Sequence, residues 1–357
     1  MRSPKLIVLI ATLLAACAAL TAVACLPHKT AAGTAVMTSA QPPRQSTASA
    51  APVNPDPQPA SLTAYKLGSG YIDVWDVSSK KALHISIEDY VADAVAAEMP
   101  CSFPSEALEA QAVACRTFAV YCILHPRHAD HGCALCTDSA CCMAYTTQNA
   151  AVSRWNGQGL DGAACWAKIQ AAAAATSGVI LLYGGEPADA VFHSMSEYMT
   201  ESSQDVWGGY LPYLQAVATP ESDAWGIPGL VETTKLTPAQ FRAALASADP
   251  KLSFPRDPAA WLGETQYNAS HRLARLGVCG ITFTGAQLQS LFALRSTDIA
   301  LTWDGADFVF TVRGYGHGVG MSQYGAEIMA LQGHDYTQIL TWYYTGVDFA
   351  ALDYQGK

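Results

Sequence analysis

The sequence predicts an α+β fold: one large mixed domain behind an N-terminal apolar segment and a proline-rich linker. Three observations predict it. Helix-period and strand-like segments alternate irregularly along the chain, with no internal repeat. Half of the 357 residues are hydrophobic and only 14% are charged, against about 25% in an ordinary soluble domain, so apolar material for a core is ample and a disordered chain is excluded. Composition also changes sharply twice near the N-terminus, dividing the chain into 1–26, 27–62 and a folded region at 63–350. The net charge of -10 argues against a nucleic-acid partner, whose binding face would be basic.

Arg2 and Lys5 precede an uncharged run from Leu6 to Leu26, long enough to span a bilayer as a helix, with basic flanks that favour a cytoplasmic N-terminus. A membrane anchor, a cleaved signal peptide and a lipoprotein signal ending at Cys17 all fit, and all three place the rest of the chain outside the cytoplasm. Residues 27–62 hold seven prolines (Pro27, Pro42, Pro43, Pro52, Pro55, Pro57 and Pro59) and no periodic apolar face, which reads as an extended linker.

Leu67–Val77 has strand character, broken by Gly68 and Gly70. Ser86 caps a helix that begins at Ile87, with Glu88 and Asp89 in its first turn and Pro100 ending it. Pro104 opens a second helix reaching Leu124. Gly178–Tyr183, Ala190–His193 and Phe308–Val312 read as strands. Thr237–Ala246 reads as a helix with Pro238 in its first turn, and Ser322–Leu331 as a helix stopped by Gly333.

Four constellations carry candidate chemistry. In Ala96-Ala97-Glu98-Met99-Pro100, a lone carboxyl group sits among small apolar residues at a helix C-terminus. Desolvation and the helix dipole both favour its protonated form, which suits a general acid; a solvated helix-end glutamate is the plainer alternative. Phe192-His193-Ser194 through Glu201 and Asp205 to Trp207 combines hydroxyls, carboxylates and an aromatic, which suits sugar recognition; an ordinary N-cap-rich loop with His193 as a core residue is the alternative. Gly314-Tyr315-Gly316-His317-Gly318-Val319-Gly320 places four glycines at alternate positions. As a strand this would offer a bare face to a ligand, leading into a helix start at Ser322 and Gln323 that suits an anion; tight backbone packing is the alternative. Last, His125, His128, His131, Cys133, Cys136, Cys141 and Cys142 supply the ligand types of a tetrahedral zinc site. Disulfides compete in an extracytoplasmic chain, although the nine cysteines after residue 26 cannot all pair within it. Cys115 and Cys122, on one helix face, read as buried.

Taken in order, these motifs resemble the stage II sporulation protein D family: Tyr90-Val91 with Ala97-Glu98-Met99-Pro100; Phe103-Pro104-Ser105-Glu106-Ala107-Leu108; Ala110-Gln111-Ala112-Val113-Ala114-Cys115-Arg116-Thr117; Phe192-His193-Ser194 to Trp207 with Leu211-Pro212-Tyr213; and Gly314 to Ala326. The resemblance implies a membrane-anchored lytic transglycosylase acting on peptidoglycan strands stripped of stem peptides, beside a partner cell-wall amidase, during engulfment in sporulation. A related branch is described as an amidase enhancer, so a non-catalytic glycan-binding module is the alternative. The resemblance makes Glu98 the acid and base; beside it we expect Arg116, Ser194, Glu201, His317, Ser322 and Gln323 as the substrate contacts. It also implies a structural zinc on His131, Cys136, Cys141 and Cys142, with Cys141 where a histidine is expected and Asp130 at the upstream histidine position. Two further departures are Glu109 in place of a lysine and Glu197-Tyr198 in place of a glycine pair. A two-carboxylate hydrolase would need a partner for Glu98, and Glu201 and Asp205 are the candidates the sequence offers.

Overall fold

The computed structural model describes residues 62–354. The expected anchor, and all but the last residue of the expected linker, lie outside them. Strands β1 (Thr63–Leu67), β2 (Tyr71–Asp76) and β3 (Lys81–Ser86) lead into helix α1 (Ile87–Glu98). Ser86 caps α1, its hydroxyl accepting from the Asp89 N–H. Helix α2 (Ser105–Leu124) follows. It is long and apolar enough to cross a membrane, but residues Ala107 to Val120, Glu109 apart, are buried in the protein, as befits a central core helix.

Strand β4 (Leu135–Cys136), helices α3 (Gln148–Gly157) and α4 (Gly162–Ala175), and strands β5 (Val179–Tyr183), β6 (Glu186–Pro187) and β7 (Phe192–His193) come next, then the short helix α5 (Ser203–Trp207). Helices α1 and α4 and strand β5 pack on α2. A disulfide joins Cys101, in the α1–α2 turn, to Cys165 of α4.

Residues 231–313 build a second apolar cluster. Strand β8 (Val231–Leu236), helix α6 (Pro238–Ala248), strands β9 (Leu262–Tyr267), β10 (Leu273–Val278) and β11 (Ile281–Thr284), helix α7 (Gly285–Phe292), and strands β12 (Asp298–Trp303) and β13 (Phe308–Arg313) compose it. Two antiparallel sheets, ordered β11-β10-β9 and β12-β13-β8, enclose Phe241, Trp261, Phe308 and Phe310, all at most 2% exposed.

The chain then returns to the first core through β14 (Met321–Ser322), helices α8 (Gln323–Leu331) and α9 (Tyr336–Tyr343), and β15 (Asp348–Tyr354). Strand β15 pairs in parallel with β1 and antiparallel with β5, and β14 pairs in parallel with β7. The expected mixture of helix and strand is therefore present. One expected strand is not: Gly314, Gly316, Gly318 and Gly320 all have φ between +72° and +105°, a left-handed winding incompatible with an extended run. Their missing side chains make room for protein rather than for a ligand. A Cβ on Gly320 would strike the Val191 carbonyl, and one on Gly318 the Arg272 guanidinium.

Candidate active site

A cavity of about 890 Å³ opens between the end of α1, the 139–144 segment, the chain around β7 and the glycine winding. Glu98 reaches it because Met99 leaves the helix in an extended conformation, as the following proline demands. Its Oε1 accepts the Ala144 N–H at 2.6 Å. Burial pushes the Glu98 carboxyl pKa up; the Ala144 N–H and the Gln323 amide pull the other way, and burial is the largest influence. The Gln323 amide, only 6% exposed, lies beside this carboxyl group, yet its Nε2 makes no hydrogen bond of ordinary geometry.

Ser194, His193, His317 and Trp207 line the same cavity. His317 Nδ1 accepts the Val319 N–H at 3.1 Å, and burial lowers its pKa to about 4, against a hydrogen bond to the Phe192 backbone. A neutral ring with both nitrogens engaged offers its face rather than a proton, and that face lies 5.1 Å from the centre of the half-exposed Trp207 ring. His193 is also held neutral, chiefly by burial and then by His317 and Arg272. Its Nε2 meets Ser196 Oγ at 2.6 Å and its Nδ1 meets the Val319 carbonyl at 3.2 Å. A carbonyl can only accept, so Nδ1 carries the ring proton and Ser196 donates to Nε2.

Three expected substrate contacts sit elsewhere. Arg116 is fully buried. It holds Glu88 through Nε at 2.9 Å and Nη2 at 2.6 Å, and donates to the Val179 and Ala173 carbonyls, so it ties α1, α2, α4 and β5 together. Glu201 is 2% exposed; it accepts from Asn268 Nδ2 at 2.7 Å and faces Arg272 Nε at 3.7 Å. Ser322 caps α8, its hydroxyl accepting from Gly325 and donating to Glu221. The anion expected at this helix start is thus the protein's own Glu221, which also accepts from Thr219 and the Ser196 N–H. Asp205 is likewise spent on a local cap with Ser202.

The carboxylate that the sequence reading missed is Asp189. It lines the cavity with Glu98 and pairs with Arg127 Nη2 at 3.4 Å. No motif marks it in the sequence; only the fold brings it there.

His128 Nε2 and the sulfurs of Cys136, Cys141 and Cys142 all lie within 4.8 Å of one another. Three of the four expected metal ligands are therefore assembled, and the histidine is His128, whose Nε2 is 3.3 Å from Cys141 Sγ. His131 is turned away by the Ala129–His131 3-10 turn and stacks on Trp75 at 3.9 Å, while Asp130 pairs with His131 at 3.4 Å. Cys141 and Cys142 also line the Glu98 cavity, so the cluster is remote from the acid only in sequence.

A family described as stage II sporulation protein matches residues 77–183. Stage II sporulation protein D of Bacillus subtilis (strain 168) is 33% identical over 301 residues, covering 83% of this chain and 84% of that protein; that of Bacillus amyloliquefaciens is 33% identical over 288 residues, 79% of each. The chain belongs to the stage II sporulation protein D family. An amidase enhancer of Bacillus subtilis (strain 168) is 25% identical over 70% of this chain and 38% of that protein. Within the family match fall Glu98, the core helix α2 and the entire His/Cys cluster, whereas the histidines, Gln323 and Trp207 come from chain beyond it.

Proposed function

We propose that this member of the family is a lytic transglycosylase of peptidoglycan glycan strands. The observation that carries the reading is Glu98: a carboxyl group with a pKa raised by burial, at the wall of a cavity large enough for sugar rings that a neutral histidine and a half-exposed tryptophan also line. Glu98 protonates the glycosidic oxygen after N-acetylmuramic acid, and positive charge develops at C1. The resulting carboxylate, held by the Ala144 N–H, takes the proton of the muramic C6 hydroxyl as that oxygen closes on C1, leaving a 1,6-anhydro end. One carboxyl group serves both steps. Gln323 Nε2 is placed to donate to a ring substituent, Ser194 to bond a hydroxyl, and Trp207 with His317 to receive a sugar face.

The His/Cys cluster fits zinc. Three thiols and an imidazole make a soft, closed, four-donor set with no open position, which is the pattern of a structural site. His128, Cys136, Cys141 and Cys142 would hold the metal, which supplies a fixed crosslink. The segment it fixes carries the N–H that sets the Glu98 carboxyl. The Cys101–Cys165 disulfide supports an extracytoplasmic location, where an N-terminal anchor would hold the domain at the membrane beside a cell-wall amidase.

Asp189 favours a second reading, a hydrolase that uses Asp189 to activate water. One experiment separates the readings: full-length protein is incubated with amidase-treated glycan strands and the products are weighed by mass spectrometry. Anhydro ends that vanish with Glu98→Gln support the transglycosylase; reducing ends that vanish with Asp189→Asn replace it with the hydrolase; intact strands leave a binding module.

A further inference from the structure

Arg127 is the one arginine or lysine among the described residues that line the cavity. The guanidinium is half committed. Nη1 donates to the Cys141 carbonyl at 3.2 Å, and Nη2 lies 3.4 and 3.5 Å from the two Asp189 oxygens, long for a charge-assisted bond. The guanidinium carbon sits 4.7 Å over the Phe118 ring and the group also meets the Cys122 thiol, while the bonds to Cys141 and Asp189 use Nη1 and Nη2 and not Nε. The side chain keeps about a third of its surface open, whereas Asp189 keeps 13%. A guanidinium has five N–H donors in a planar fork and can serve two carboxylates on different edges. The carbonyl that fixes Arg127 and the N–H that fixes Glu98 lie three residues apart on one strand of chain, no more than about 11 Å even fully extended.

We propose that Arg127 is the specificity-determining residue of the cavity, binding a free carboxylate carried by the sugar whose bond Glu98 breaks. This rests on the glycan reading above. On that reading the carboxylate is the lactyl group of N-acetylmuramic acid. The group stands on the same ring as the scissile C1, and is an anion only when the stem peptide has been removed; with the peptide attached it is a neutral amide. A charge-assisted fork to the anion, against an uncharged amide beside Asp189, discriminates between stripped and peptide-bearing strands at a single position. Asp189 holds the guanidinium in place while the cavity is empty and competes with the ligand for it.

The test uses the full-length chain carrying Glu98→Gln to arrest turnover. Two probes are titrated by calorimetry: glycan strands with free lactyl carboxylates, and the same strands with those carboxyl groups converted to primary amides. The free acid binds about tenfold or more tighter. Adding Arg127→Met removes the preference, so that the two probes bind alike. Adding Asp189→Asn, which frees the guanidinium without altering it, widens the preference and keeps the test alive should Arg127→Met fail to fold. Equal binding of both probes by the parent, a preference that survives Arg127→Met, or one that Asp189→Asn leaves unchanged or narrows overturns the assignment. If neither probe binds, the glycan reading falls, and this one with it.

Discussion

At the scale of single residues, the proposed reaction makes Glu98 the group that sets the pH dependence. Its first step would need the protonated form, so activity is expected below the folded-state pKa and is lost as pH rises through it. Because burial raises that pKa, the descending limb of kcat/KM lies above the range of an ordinary glutamate. The Gln323 amide favours the carboxylate, so Gln323→Met moves the limb further up in pH; a rate profile against pH for the two proteins checks this, and an unmoved limb removes Gln323 from the site. Tyr198 supplies a stability test. It stands where the family is expected to hold glycine, has φ of 61° and is 60% exposed. Relief of the left-handed backbone in Tyr198→Gly is opposed by the entropy of glycine and by loss of the hydrogen bond between Tyr198 and Glu197, so the unfolding free energy in denaturant titration moves by less than about 1 kcal/mol in either direction, and a larger loss would show that the side chain has a further partner in the fold.

At the scale of elements, α1, α2, α6 and α8 were legible in the sequence, whereas α3, α4, α5, α7 and α9 were not. Ser86, Pro100 and Pro104 fix the ends of α1 and α2 by local chemistry, and each end lies within a residue of its expected place. Helix α4 was missed because its run of alanines gives no contrast between faces, and β8 because most of it is exposed. The site was legible in part. Glu98, Ser194, His317 and Gln323 do converge on one cavity. Arg116, Glu201 and Ser322 do not, because a polar residue in a motif reads alike whether its partner is a ligand or a protein group, and the partners Glu88, Arg272 and Glu221 are set by the fold. Arg116→Ala therefore acts on stability: it empties a fully buried site, leaves the Val179 and Ala173 carbonyls without their donor and takes the cation from a one-third exposed Glu88, a loss of about 1–3 kcal/mol in denaturant unfolding, while KM of the folded fraction stays put. A raised KM at unchanged stability would restore the arginine to substrate binding. On the proposed zinc site, the 136–144 segment would couple metal to acid. Cys136→Ser, or prolonged chelation, lowers both bound zinc and activity, and full activity in a zinc-free protein would end the zinc assignment.

At the scale of the whole molecule, the 231–313 region is more than an appendage. It sends Arg272, 3% exposed, behind the cavity wall, where Nη2 donates to Ser196 at 2.8 Å and so reaches His193. Nothing in its sequence announced this, since Arg272 lies in a turn between two strands that carry no motif. The disulfide acts at the same scale. It closes a loop of 64 residues, and its removal by Cys101→Ser with Cys165→Ser lowers stability by about 2–4 kcal/mol, read as a fall in the denaturant midpoint; an unchanged midpoint would mean that the pair contributes nothing to the folded state.

Strand β15 has a consequence in time as well as in space. It lies between β1 and β5, which do not touch each other, so the earliest strand of the domain has no mate until residues 348–354 have been made. A chain emerging N-terminus first must keep β1 waiting through the synthesis of almost everything else. Pairing so distant in sequence is slow to form and leaves strand edges open meanwhile. Closure of this sheet therefore waits on the last strand of the domain, and the β1 edge is the one left open longest.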